Sequence, residues 1–179
     1  YDEKLGGSHF VEYKDVPIDI KKRYKDIEMI FRPHPLMFEE LVSKKLITKK
    51  EETQYLELIS ELGIRYDNGE PIERAIEKAD VLLTDFSSII IMFFLTGKPI
   101  IYCPSQIELN EEYSELAEAM YIVQSEGDII KYIQMLQEGN DYLKEKRLAL
   151  IEKKYLNNRG AVTNIVDRII ADFECANEK

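Results

Sequence analysis

The sequence predicts an α/β fold, a doubly wound and mainly parallel sheet with helices closing its C-terminal end. Three observations predict it. Two short runs rich in β-branched residues, Val81–Leu83 and Ile100–Tyr102, flank a longer apolar run, Ile89–Leu95, that begins directly after Ser87-Ser88. That order reads as strand, helix, strand, and a parallel pair of strands needs such a crossover. Both flanking runs are continuously apolar, as strands covered on both faces are. The rest of the chain repeats the alternation, with short apolar runs between helical sections.

Taken in order, Tyr1–Tyr13 is polar with a Gly6-Gly7-Ser8 loop, and little regular structure is expected there. Asp15–Tyr24 reads as a short helix capped by Asp15, with Pro17 in its first turn. Ile27–Phe31 reads as a strand that ends in Arg32-Pro33-His34-Pro35, where the prolines break the ladder and hold the histidine extended and exposed. Leu36–Ile47 and Lys50–Leu62 carry helical periodicity, the second with a Thr48/Glu51 capping box and Gly63 at its end. Ile64–Tyr66 is a short strand into the Asp67-Asn68-Gly69 turn, and Pro71–Lys78 a brief helix.

The central run Ile89–Leu95 is apolar all round a helix, which predicts cover on every side. Gly97 is placed to end that helix in a left-handed conformation, and Pro99 forbids its continuation. Beyond Cys103, a helix is expected from about Asn110 to Met120, an edge strand at Tyr121–Gln124, and amphipathic helices at Asp128–Gln137, Tyr142–Leu156 and Ala161–Glu174. The acidic run Glu108, Glu111, Glu112, Glu115 and Glu118 follows exposed helical positions, so a solvated face is expected rather than a metal site.

The chain of 179 residues fits one domain, 1–179, with a substantial core. Its formal net charge of -10 argues against nucleic acid or an anionic membrane as the main partner, since both need a basic face. Cys103 and Cys175 lack metal-ligand spacing, and a reduced cytoplasmic compartment is the expectation. No apolar stretch reaches the roughly 20 residues of a membrane span, and Tyr1-Asp2-Glu3-Lys4 has no signal-peptide pattern. The chain opens without Met, which suggests a fragment.

In open parallel sheets ligands bind beyond the carboxyl ends of the strands, which points to Thr84-Asp85-Phe86-Ser87-Ser88. Backbone amides of the helix's first turn and two serine hydroxyls there favour an anion. The plainer reading is that Asp85 or Ser87 only caps the helix. Arg32 and His34 lie at another strand end, where a guanidinium suits phosphate and an imidazole can donate to an oxyanion or move a proton. The plainer reading for His34 is a hydrogen bond to a neighbouring carbonyl. Arg159-Gly160, before the last helix, is a weaker anion-site candidate.

With Arg32-Pro33-His34-Pro35, Asp80–Ser88 and Lys98-Pro99-Ile100-Ile101 in place, the chain resembles the CDP-glycerol glycerophosphotransferase family, whose members build teichoic acids and related phosphate-linked cell-wall polymers. Phe86 stands where that family has Tyr, and Asn158-Arg159-Gly160 stands for its downstream turn. The resemblance implies the C-terminal, donor-binding, Rossmann-like half of a two-domain GT-B transferase. By that likeness Arg32, Thr84, Ser87 and Ser88 bind the phosphates of a CDP- or UDP-linked donor, His34 is catalytic, and Asp85 organises the turn. No cofactor and no metal is implied. The partners implied are the donor and an N-terminal acceptor domain, with peripheral contact at the inner face of the plasma membrane in the full-length enzyme.

The sequence departs from the family in two places. It has no Trp-His-Gly-Thr motif, which family members carry in the N-terminal half, so the chain alone is expected to bind donor without turnover. Met92 stands where the family has Asp, four residues after the second serine. The rival readings are a nucleotide-sugar glycosyltransferase or 2-epimerase half, and a non-catalytic interaction domain of the same fold. A receiver-like signalling domain with Asp85 as phosphoacceptor lacks the acid pair after Ile27–Phe31 that would hold Mg²⁺.

Overall fold

A computed structural model describes residues 10–104, 109–156 and 160. Its element order is α1 (Phe10–Tyr13), α2 (Val16–Arg23), β1 (Ile30–Phe31), α3 (Met37–Ser43), α4 (Lys49–Glu61), β2 (Arg65–Tyr66), α5 (Ile72–Lys78) and β3 (Leu82–Thr84). There follow α6 (Ile89–Phe94), β4 (Ile100–Tyr102), α7 (Glu111–Ala117), β5 (Tyr121–Ile122), α8 (Glu126–Gln137) and α9 (Lys144–Ile151), which runs into a π-helical turn, Glu152–Leu156. The strands pair β1–β2 and β3–β4–β5, and every pair is parallel. The expected α/β architecture with parallel strands is therefore present, in two hydrogen-bonded ladders.

Strand β4 shows why the sheet is covered on both faces. Ile100 and Tyr102 join Ile90, Phe93 and Phe94 of α6, Leu116 of α7 and Ile151 of α9 in one core cluster. Ile101 and Cys103 point the other way, into a cluster with Val16 and Ile20 of α2, Tyr121, Val123 and Ile129 of α8. Side chains alternate across a strand, so three consecutive apolar residues feed two cores. Burying each of these large side chains contributes about 1.5–3 kcal/mol. Helix α2 also spans the two ladders, because Ile18 packs with Ile59 and Ile64 beside β2 while Val16 and Ile20 face β4 and β5. Met29, just before β1, packs against both clusters.

Two long cations tie the ends of α6 and its neighbours. Lys98 donates from Nζ to the carbonyls of Ile76, Glu77 and Ala79 at 3.2, 2.9 and 2.8 Å, which caps the C-terminus of α5. An ammonium has three donors and here meets three acceptors at the negative end of a helix. Arg147 is fully buried and donates from Nε to Gly97 O at 2.9 Å and from Nη1 to Ala119 O at 3.2 Å, while its Nη2 meets Asp141. Tyr121 OH donates to the other oxygen of Asp141 at 2.8 Å. This network fixes the turn after α6, where Gly97 has φ +74 and a Cβ would lie 3.0 Å from Leu148.

Several expectations held at the level of single residues. Gly63 and Gly97 take positive φ, and the Thr48/Glu51 capping box is complete, with Thr48 N donating to Glu51 at 2.7 Å. Others need correction. Phe10–Tyr13 forms a short helix where little structure was expected, and its Phe10 ring packs against Phe31, Phe38 and Tyr55. Asp15 stands at the start of α2 but has helical φ/ψ and makes no side-chain cap. Helix α3 is shorter than Leu36–Ile47 because Lys45 turns left-handed at φ 57, with Lys45 N on Val42 O and Leu46 N on Leu41 O, a Schellman end without glycine.

The central helix is also not covered all round. Met92 is 42% and Leu95 45% exposed, while Ile90, Phe93 and Phe94 are buried. A helix on the face of a two-layered sheet buries one side only, whatever its composition. The acidic face of α7 is in part paired rather than solvated, since Glu115 meets Lys153 and Lys154 and Glu118 meets Lys146. Glu108 and the expected helix Ala161–Glu174 lie outside the described residues. No described helix is long and apolar enough to cross a membrane.

Candidate functional site

The first candidate tip follows β1. Arg32 extends from the strand end and donates from Nη1 to Asp67 Oδ2 at 2.8 Å. Asp67 follows β2, and its own N–H donates to Phe31 O at 2.9 Å, continuing the β1–β2 ladder. Its second oxygen accepts from Gly69 N at 3.4 Å and Glu70 N at 3.1 Å, the Asx turn that Asp-Asn-Gly favours. Burial pushes the Asp67 carboxyl up, but the Glu70 and Gly69 amides and then the Arg32 guanidinium outweigh it and hold the group below its ordinary value of 3.8.

His34 is exposed, as the flanking prolines predict. Its Nδ1 accepts from Leu36 N at 3.3 Å, and its carbonyl accepts from Met37 N at 2.8 Å, at the entry to α3. The plainer reading of this histidine is therefore half right, with an amide rather than a carbonyl as partner. With Nδ1 accepting, the neutral ring carries its proton on Nε2, which is left to donate outward.

The second tip follows β3. Thr84 Oγ1 donates to Asp85 O at 3.0 Å, and Thr84 O accepts from Cys103 N at 2.8 Å, which sets the turn against the end of β4. Ser87 Oγ accepts from Ile89 N at 3.4 Å and Ser87 O from Ile90 N at 3.2 Å, so Ser87 is a local cap of the turn. Its hydroxyl proton is still available to an acceptor. Ser88 is exposed and makes no side-chain cap to α6. Phe86 packs at a tilt against Tyr113 of α7 with centroids 5.4 Å apart. Burial, with Asp85 nearby, pushes the Cys103 thiol up to about 12, so it stays a neutral core residue.

Among the described residues, neither Arg32 nor His34 bonds to the serine turn, and β1 and β3 stand in separate ladders. The strands they end are nevertheless joined by packing, because Met29, Val81 and Leu83 press on one buried cluster. Two hollows lie elsewhere, an open groove along α4 and a space of about 200 Å³ lined by Phe10, Lys14, Phe38, Glu52 and Tyr55. Glu52 Oε2 and Tyr55 OH are buried there without a hydrogen bond among the described residues. Gly160 is exposed with φ 101, and Arg159 lies outside the described residues. No group of three or more potential metal ligands occurs among the described residues.

Sequence reasoning did not single out Asp67, Asp141 or Arg147. Asp67 carried a signal in its Asp-Asn-Gly turn, but its partner became visible only with the β1–β2 register. Arg147 carried none, being one cation among many in an amphipathic stretch.

The family model described as CDP-Glycerol:Poly(glycerophosphate) glycerophosphotransferase matches residues 7–171. No curated protein and no solved structure matches the chain.

Proposed function

The chain belongs to the CDP-glycerol:poly(glycerophosphate) glycerophosphotransferase family, and from that premise we propose that it is the donor-binding half of a GT-B transferase. In this reading the complete enzyme moves a glycerophosphate-like unit, or a sugar, from a CDP- or UDP-linked donor to a hydroxyl of a growing surface polysaccharide. The observation that carries it is the placement of Arg32, His34, Thr84, Ser87 and Ser88 at the C-terminal ends of β1 and β3, with donors uncommitted among the described residues at His34 Nε2, Ser87 and Ser88.

For glycerophosphate transfer, the acceptor oxygen attacks the phosphorus that bears the glycerol. The phosphoanhydride bond to the nucleoside monophosphate breaks, and negative charge develops on the departing phosphate. Arg32 and the serine hydroxyls would bind that phosphate, and His34 Nε2–H would donate to the departing oxygen. The proton of the acceptor hydroxyl goes to a base in the acceptor-binding half. Asp85 shapes the turn and is kept off the anion, since two negative groups in contact repel.

Isothermal calorimetry of the chain with CDP-glycerol and with a UDP-sugar tests this. The expected result is binding by wild type, with affinity lowered about 10- to 100-fold in the Ser87→Ala/Ser88→Ala double variant, given about 1.5–3 kcal/mol for a hydrogen bond to a charged group. Equal affinity of wild type and variant would remove the serine turn from the site. The alternative of a non-catalytic interaction domain draws on one observation, the exposed Met92 one helical turn from Ser88 where the family carries Asp.

A further inference from the structure

We propose that Asp67 is a positioning residue for Arg32, one that aims the free edge of its guanidinium at the donor phosphate; this rests on the assignment of Arg32 to the donor site. Three features of Asp67 set it apart from an ordinary surface ion-pair partner. Its side chain is 2% exposed, against 29% for Arg32. Its Oδ1 is fixed by the Gly69 and Glu70 amides, so Oδ2 cannot swing away from Nη1 of Arg32. Its own N–H is bonded to Phe31 O, immediately before Arg32. Backbone and side chain of one residue thus hold both ends of the arginine.

The contact with Asp67 is made through Nη1 alone, not as a bidentate fork. Among the described residues no other acceptor meets Arg32. A guanidinium has five N–H donors in a rigid plane, so fixing one corner fixes where the remaining edge points. An arginine that bridges a buried carboxylate and a phosphate loses little rotamer freedom on binding, because that freedom is already lost in the free protein. The carboxylate also has a cost, since its negative charge lies one guanidinium away from the phosphate. Positioning and repulsion predict opposite signs for the neutral variant.

Calorimetric titration of the chain with CDP-glycerol, in wild type, Asp67→Asn, Arg32→Ala and the double variant, separates them. Asp67→Asn can still accept from the Gly69 and Glu70 amides but turns an amide nitrogen toward Arg32. The expected result is a 5- to 20-fold loss of affinity in Asp67→Asn, a larger loss in Arg32→Ala, and no further loss when Asp67→Asn is added to Arg32→Ala. Slow rotation of the Arg32 guanidinium, read by nitrogen-15 NMR, should become fast in Asp67→Asn. Unchanged or tighter binding by Asp67→Asn with weakened Arg32→Ala overturns the positioning role and leaves the donor site standing. Unchanged binding by Arg32→Ala overturns the assignment of Arg32 itself. If Asp67→Asn does not fold, Asp67→Glu carries the same test, because one added methylene displaces the guanidinium while keeping the charge. Wild-type affinity in that variant counts against the proposal.

Discussion

Arg147 is 0% exposed and donates to Gly97 O, Ala119 O and Asp141 from three different nitrogens, whereas Arg32 is 29% exposed and meets Asp67 from one nitrogen only. Both are arginine–aspartate pairs near a turn, one after a strand of the β1–β2 ladder and one after helix α6. In the first, the arginine is surrounded, and its acceptors are Gly97 O in the turn after α6, Ala119 O in the α7–β5 connection, and Asp141. In the second, the aspartate is the buried member and the arginine is left facing outward. Which partner is buried decides what the pair does. A buried arginine with several carbonyls knits segments together, and a buried aspartate presents an arginine.

The largest expected effect breaks the first pair. Arg147→Ala leaves the carbonyls of Gly97 and Ala119 without this donor and Asp141 with Tyr121 alone, and should lower the unfolding free energy by about 3–5 kcal/mol in urea titrations. Arg32→Ala should lower it by only about 1 kcal/mol, because the Gly69 and Glu70 amides still satisfy Asp67. Comparable losses in the two variants would erase the distinction between them.

Tyr121→Phe sharpens the comparison from the other side. It removes the 2.8 Å hydrogen bond to Asp141 and leaves the ring packed on Tyr132 and Tyr142, so about 1 kcal/mol is expected, with donor affinity unchanged. A change in donor affinity would show that the buried pair also acts on the site.

The acid limb of stability reports on Asp67. Its folded pKa lies below its unfolded value, so its contribution is fully present above the unfolded pKa of about 4 and is lost as pH falls through the lower folded value. Wild type should therefore lose more stability than Asp67→Asn between about pH 5 and pH 3 in urea midpoints. Parallel curves would mean that the Asp67 carboxyl is not held down. Smallest of all, Met92→Asp should change the melting temperature little, since position 92 is 42% exposed.

The parts of the fold written in local chemistry were legible before any coordinates. Gly97, the Thr48/Glu51 box and the β4 run declare themselves within a few residues. The parts set by register were not. Asp67 meets Arg32 across 35 positions because Phe31 pairs with Tyr66, and no pattern in either segment fixes that pairing. Arg147 reads as an exposed helix cation until α9 is laid against the Gly97 turn. Met92 failed in the opposite sense, since composition marks an apolar residue for burial while position on a one-sided helix leaves it outside. At the site, residue types were legible at both tips, and their tethers were not.

Amide chemical-shift mapping with CDP-glycerol tests the central claim most directly. Shifts concentrated at Arg32–His34 and Thr84–Ile89, with Asp67 following Arg32, are what two strand tips serving one donor predict. Shifts confined instead to Glu52, Tyr55 and Phe38, around the hollow beside α4, would contradict it and move the donor to that hollow.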